Sequence, residues 1–156
     1  MSEKKITDFT IIRSLTLFEV DVYRLFDNVP KKFKFNLIEQ TKNLIGSVIV
    51  LTVKAMETPP LDNSLIAVKR NLLIEAQSEL HAVEVRLSTL NDLMGISNEA
   101  KARLDIYLYD TYRNFSRLIN SFNRRLNVSD VQNCGFDAEP DNIRMPNCTL
   151  KGILDV

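Results

Sequence analysis

Leu61-Asp-Asn-Ser-Leu-Ile-Ala-Val-Lys-Arg70-Asn-Leu-Leu-Ile-Glu-Ala-Gln-Ser-Glu-Leu80-His-Ala-Val-Glu-Val-Arg-Leu-Ser-Thr-Leu90-Asn-Asp-Leu-Met-Gly95 is the stretch that decides the fold. Its face runs through Ile66, Lys69, Leu73, Ala76, Leu80, Val83, Leu87, Leu90 and Met94, in steps of three and four with one polar exception. That spacing holds one side of a helix against a core. Asp62 or Asn63 can cap the start with a side-chain oxygen. Gly95 stands where a helix ends in a left-handed residue. At 1.5 Å per residue, a helix over 63–94 is roughly 45 Å long. Such a helix alone is marginal in water, so packing against partners must supply most of its stability.

Three more segments carry the same spacing. Upstream, Ile11, Leu15, Phe18, Val22, Leu25 and Val29 predict a first helix, starting near Asp8 or at Thr16, where Thr16 and Glu19 have capping-box spacing. Pro30 disfavours helical geometry at Val29 and ends it. A second helix follows on Leu37, Thr41, Leu44, Val48, Leu51 and Ala55, widened by Ile38, Ile45, Ile49 and Val53. It is expected to be the most buried helix. Gly46-Ser47 in its middle predicts close approach of a neighbour, since Gly there costs about 1 kcal/mol against Ala. Pro59-Pro60 forces the chain out. Downstream, Ser97 caps a fourth helix on Leu104, Leu108, Thr111, Phe115, Leu118 and Phe122. Connections at 29–31, 58–62 and 95–97 are short, which makes sequential neighbours antiparallel. The fold class is therefore all-α: an up-down-up-down four-helix bundle over 1–126. Residues 127–156 sustain no period and read as an irregular, partly ordered C-terminal extension.

The 156 residues suffice for one domain with a real core, and 45% apolar with 26% charged is ordinary for a globular chain. Only 4 glycines and 5 prolines occur, which favours helices over many short strands. Net charge is zero, yet 127–156 carries −3 and 1–126 carries +3. A mildly basic body with an acidic tail is compatible with nucleic-acid contact without requiring it. The N-terminus has no signal-peptide pattern, and the most apolar run, Leu44–Val53, is about half a membrane span. These features predict a cytoplasmic protein with no membrane contact. Cys134 and Cys148 are expected to be free thiols there.

A search for chemistry returns little. His81 shares a polar helix face with Gln77, Glu84 and Ser88 and reads as an exposed residue. No zinc spacing, nucleophile elbow, P-loop or dinucleotide fingerprint is present. Glu75 and Glu79 lack the Glu-x-x-His companion of a bundle metal site. A helical RNase with Arg a few residues before its His would need Arg near 76, and the nearest is Arg70. No catalytic residue, metal or cofactor is expected.

Basic patterning remains. Beyond Thr111 the fourth helix bears Arg113, Arg117, Arg124 and Arg125, with no acidic residue before Asp130. The first three fall within roughly 40° of one another, opposite the apolar stripe. Lys31, Lys32 and Lys34 open the second helix, and in a bundle this turn and the end of the fourth helix could share one end. Unpaired cations of this kind suit phosphates. The same residues would also form an ordinary solvated face, and Arg near a helix C-terminus is favoured by the macrodipole. Tyr107, Tyr109 and Tyr112 could stack on bases, though packing or subunit contact is expected for at least two of them.

Tyr23-Arg-Leu-Phe-Asp-Asn-Val-Pro-Lys-Lys-Phe-Lys-Phe-Asn-Leu37 and Leu72-Leu-Ile-Glu-Ala-Gln-Ser-Glu-Leu80 together resemble a family hallmark. In it, a first helix is followed by Pro-Lys and a leucine-bearing second helix, and a third helix reads Leu-x-x-Ala-x-x-x-Leu. The family is the four-helix-bundle group with two branches. One holds the accessory variability determinant proteins of diversity-generating retroelements. The other holds proteins encoded in intervening sequences of 23S ribosomal RNA. The resemblance covers about 9–126. Leu51-Thr-Val-Lys-Ala-Met-Glu57 replaces the Asn-Ile-Ala-Glu-Gly-like stretch of the second branch, so the likeness leans to the first. The chain differs from the family's basic average in its zero net charge, and Ile119-Asn-Ser-Phe-Asn-Arg-Arg125 stands where a Gly-and-Trp-bearing helix end is usual.

The resemblance implies a homopentamer that binds a reverse transcriptase and its template RNA and supports mutagenic reverse transcription. Its nucleic-acid-binding residues here would be Lys31, Lys32, Lys34, Arg113, Arg117, Arg124 and Arg125. The rival expectation is a protein–protein interaction bundle of the intervening-sequence kind with no nucleic-acid role, using its acidic tail as a docking arm.

Overall fold

A computed structural model describes residues 9–133. Within them the chain forms α1 (Thr10–Asp27), α2 (Glu39–Glu57), α3 (Asn63–Met94) and α4 (Asn98–Asn133). A 3-10 turn, Lys31–Phe33, and a π turn, Lys34–Ile38, lead into α2. The four-helix bundle is thus as expected. Of the expected C-terminal extension, residues 134–156, with Cys134 and Cys148, lie outside the described residues.

Cross-helix pairs set the directions. Ser14 Oγ accepts from Asn114 at 3.1 Å and Asp21 lies 3.8 Å from Arg103, so α1 and α4 run antiparallel. Arg70 reaches Asn123 at 3.4 Å and His81 reaches Tyr112 at 2.9 Å, which sets α3 against α4 in the same way. α2 packs most extensively on α3, whereas α1 and α2 touch only slightly. The core runs along the axis through Leu15, Phe18, Ile45, Leu73, Leu80 and Phe115, all buried.

The expected face of α3 is buried in full except for half-buried Met94. Asp62 accepts from the Leu65 amide at 2.8 Å, and Gly95 has φ of 72°. Lys69, the one polar member of the stripe, donates to the carbonyls of Thr58 at 3.1 Å and Met56 at 3.5 Å. It therefore caps the C-terminus of α2, where the helix dipole favours a cation and the last carbonyls lack partners.

Other details differ from the sequence reading. α1 starts at Thr10, and the Thr16 hydroxyl donates to the Ile12 carbonyl at 2.9 Å inside the helix rather than capping it. Phe26 is buried in α1 while Leu25 sits at the edge. In α2 the core face is Thr41, Ile45, Val48, Thr52 and Ala55. Leu44 and Leu51 flank it, half-buried. Apolar residues surround most of this helix, so hydropathy left its rotation open and the neighbours set it. Thr41 and Thr52 tolerate full burial because each hydroxyl donates to the carbonyl one turn back, at 2.7 Å.

α2 has the smallest share of exposed residues among the four helices, in line with its widened stripe, although one side of it stays open. Val50 is 52% exposed, and Ile49 and Val53 are half-covered. A Cβ added to Gly46 would meet nothing within 4 Å, so no neighbouring helix approaches it. Ser97 caps α4 as predicted, accepting from the Ala100 amide at 3.2 Å. Ile119 takes the buried position expected of Leu118, which is half-buried. α4 runs to Asn133, so residues 127–133 are helical.

Candidate nucleic-acid interface

Lys31, Lys32 and Lys34 project from the irregular start of α2 and are exposed. Pro30 donates no backbone hydrogen bond but accepts one from Phe33 at 3.1 Å, which tightens the turn bearing the lysines. Lys32 Nζ sits 4.9 Å over the Phe33 ring. Phe35 stands among these cations, 78% exposed. An exposed ring inside a basic cluster is a stacking platform for an unpaired base. Phe35 was not singled out by sequence reasoning; the alternation Lys32-Phe-Lys-Phe35 was the available signal.

Arg113, Arg117, Arg124 and Arg125 are exposed along α4. Among the described residues, no carboxylate lies within ion-pair distance of Arg113, Arg117, Arg124, Lys31, Lys32 or Lys34. Arg125 differs, since it acts electrostatically on buried Lys69. Burial first, and then Arg125, lowers the pKa of the Lys69 ammonium.

The two clusters do not share an end. The chain reverses three times, so the α1–α2 turn lies beside the start of α4 and the end of α4 lies where α1 begins. Asn28 lines the same cleft as Gly95, Ile96 and Ser97, which fixes that placement. From Asn98 to Arg124 the helix axis covers about 39 Å. The lysine trio and the arginine row are therefore two surfaces, one at an end and one along a flank.

The tyrosines divide as their packing dictates. Tyr107 is half-buried against the core, and Tyr109 is 67% exposed, one turn from Arg113. Tyr112 is held by α3: its hydroxyl donates to Glu84 Oε2 at 2.8 Å and lies 2.9 Å from His81 Nδ1. The phenol proton is committed to Glu84, so Nδ1–H of His81 completes the second bond. The two rings stack at 4.5 Å between centroids. Burial, reinforced by Glu84, raises the pKa of the Tyr112 hydroxyl, so it holds its proton at neutral pH. His81 is thus exposed, as expected, but pinned to a neighbour that its own helix could not reveal.

Among the described residues, no three His, Cys, Asp or Glu side chains are placed to hold a metal ion, and no helix is long and apolar enough to cross a membrane. Leu17 and Val20 on α1 and Val50 on α2 are exposed apolar residues. The chain matches no family model, no curated protein and no solved structure.

Proposed function

We propose that this protein is a non-enzymatic accessory protein of a diversity-generating retroelement. It binds the element's reverse transcriptase and template RNA and holds them in a productive arrangement. The observation that carries the reading is the pair of separated cationic surfaces. Lys31, Lys32 and Lys34 lie in the turn that bears exposed Phe35, and Arg113, Arg117 and Arg124 continue from Tyr109, with no carboxylate among the described residues neutralising either set. Phosphates supply the affinity and the exposed rings take bases, so no sequence reader is needed. The Pro30-Lys31 hallmark supports this family reading, and the exposed apolar residues of α1 and α2 are available for assembly into a homopentamer.

Purifying the protein with the reverse transcriptase and template RNA tests this. A complex at physiological salt that dissolves as salt rises supports it, and independent elution of all three overturns it. Light scattering reports the subunit number.

Zero net charge and the open apolar residues Leu17, Val20 and Val50 favour a second reading, a protein–protein interaction bundle. In that case, removing residues 134–156 abolishes partner capture, while neutralising the arginine row leaves it intact.

A further inference from the structure

α4 carries its open cations on the side away from the core. Arg113, Arg117 and Arg124 are exposed, and no carboxylate among the described residues lies within ion-pair distance of them. α4 ends at Asn133, and 23 residues, 134–156, follow it in the chain. We propose that residues 137–141 of the same chain fold back along α4 and pair with Arg117 and Arg124, shielding them until a polyanion displaces the segment.

The segment matches the row in charge. It reads Asp137-Ala-Glu-Pro-Asp141, with carboxylates on alternate residues and no cation. Alternate side chains of an extended chain leave by the same edge. Pro140 disfavours helical geometry at Glu139, which favours the extended form. The planar fork of an arginine takes a carboxylate through two parallel hydrogen bonds.

The segment also matches the row in length. Back along the helix axis from Asn133, Arg124 lies about 13.5 Å away, Arg117 about 24 Å and Arg113 about 30 Å. Extended chain covers at most about 3.6 Å per residue, so Asp137 reaches at most about 14 Å from Asn133 and Asp141 about 29 Å. Gly135 stands where the chain has to reverse, and glycine takes the left-handed backbone that reversals use. The turn shortens the reach, and the long arginine side chains make up the difference. Asp137 therefore meets Arg124 and Asp141 meets Arg117, with Glu139 between them. The spacings agree as well. Asp137 to Asp141 spans about 13 Å extended, and Arg117 to Arg124 spans about 10.5 Å of helix. Arg113 lies beyond the reach of Asp141 and stays open beside exposed Tyr109.

Each exposed ion pair is weak by itself. A short tether, however, holds the carboxylates at an effective concentration in the millimolar range. The pairs therefore occupy the row in the free protein, yet a run of phosphates opens them. An RNA already held by Lys31, Lys32 and Lys34 delivers its phosphates to the row with the same advantage of attachment. A short anion lacks that advantage. As a gate on RNA contact, the inference rests on the function proposed above; the fold-back itself does not.

The test uses the full chain. Asp137→Asn, Glu139→Gln and Asp141→Asn together neutralise the segment, and anisotropy at low salt follows an all-uridine RNA. The expected result is about fivefold tighter binding than wild type, as removal of two exposed competing pairs gives. With Arg117→Gln and Arg124→Gln already in place, the same neutralisation changes nothing. A gain that persists there is a general charge effect and overturns the inference. Carbodiimide cross-linking reads the fold-back without RNA. In Arg117→Lys and in Arg124→Lys, mass spectrometry finds the substituted position joined to residues 137–141. Mixing labelled and unlabelled protein shows the joined peptides to come from one copy. Arg113→Lys gives no such link. Links absent, or formed only between copies, overturn the fold-back. Links with unchanged RNA affinity on neutralisation overturn the shielding and leave RNA binding standing. Links in a chain that binds no RNA keep the fold-back and overturn the RNA reading. Neither links nor RNA binding overturns both.

Discussion

Neutralising one cationic surface at a time measures whether the two work as separate anchors. The substitutions are Lys31→Gln, Lys32→Gln and Lys34→Gln together, and Arg113→Gln, Arg117→Gln and Arg124→Gln together. For single strands, each phosphate contact contributes about 0.7 to the slope of log affinity against log salt. Six contacts give a slope near −4, so a fourfold rise in salt weakens wild-type binding about 300-fold. Removing either trio leaves a slope near −2 and a loss of about 20-fold over the same range. About 39 Å of helix axis separates Asn98, at the end of the bundle that bears the lysine turn, from Arg124, and no contact among the described residues links the two sets, so their effects on a long RNA add. A short oligonucleotide cannot span both, and its binding falls with one trio at a time. Anisotropy titrations at several salt concentrations give the slopes. A wild-type slope near zero, or one trio that removes all of the salt dependence, refutes the two-surface reading.

Other outcomes are equally open to measurement. Gly46→Ala removes a helix-interior glycine with no atom near its Cβ position, so urea unfolding should show a gain of about 0.5–1 kcal/mol; loss of assembly in light scattering would place Gly46 at a subunit contact. Asp62→Ala deletes the α3 cap and should cost about 1 kcal/mol, and an unchanged midpoint would contradict the 2.8 Å bond to Leu65. Leu80→Ala, at a fully buried site, should cost about 2.7–5 kcal/mol in the same assay. Lys69 has a pKa below its ordinary 10.5, so the folded chain releases that proton before the unfolded chain does. Its contribution to stability therefore rises with pH in the window just below 10.5 and levels off above. Lys69→Met should flatten that rise in urea midpoints, and identical pH slopes would show that Lys69 titrates alike in both states.

The sequence by itself determined the four helices, the caps of α3 and α4 and the seam of α3. Ile66 through Leu90 are buried as their spacing demands, because a 3.6-residue period ties each residue's direction to its neighbours along one rigid element. Asp62, Gly95 and Ser97 work at their helix ends through contacts within a few residues, so they too were legible. What only the tertiary structure decided lies between helices. The rotation of α2 was set by the helices beside it, since its own apolar residues surround most of its circumference. The separation of Lys31–Lys34 from Arg124 came from the number of chain reversals, which charge patterning along one helix does not contain. Tyr112 found His81 and Glu84, Lys69 found the last carbonyls of α2, and Asp21 came to rest beside Arg103, each across a helix boundary. A one-dimensional pattern fixes which face of a helix is apolar. Which polar groups then meet is decided by the packing of those faces against one another.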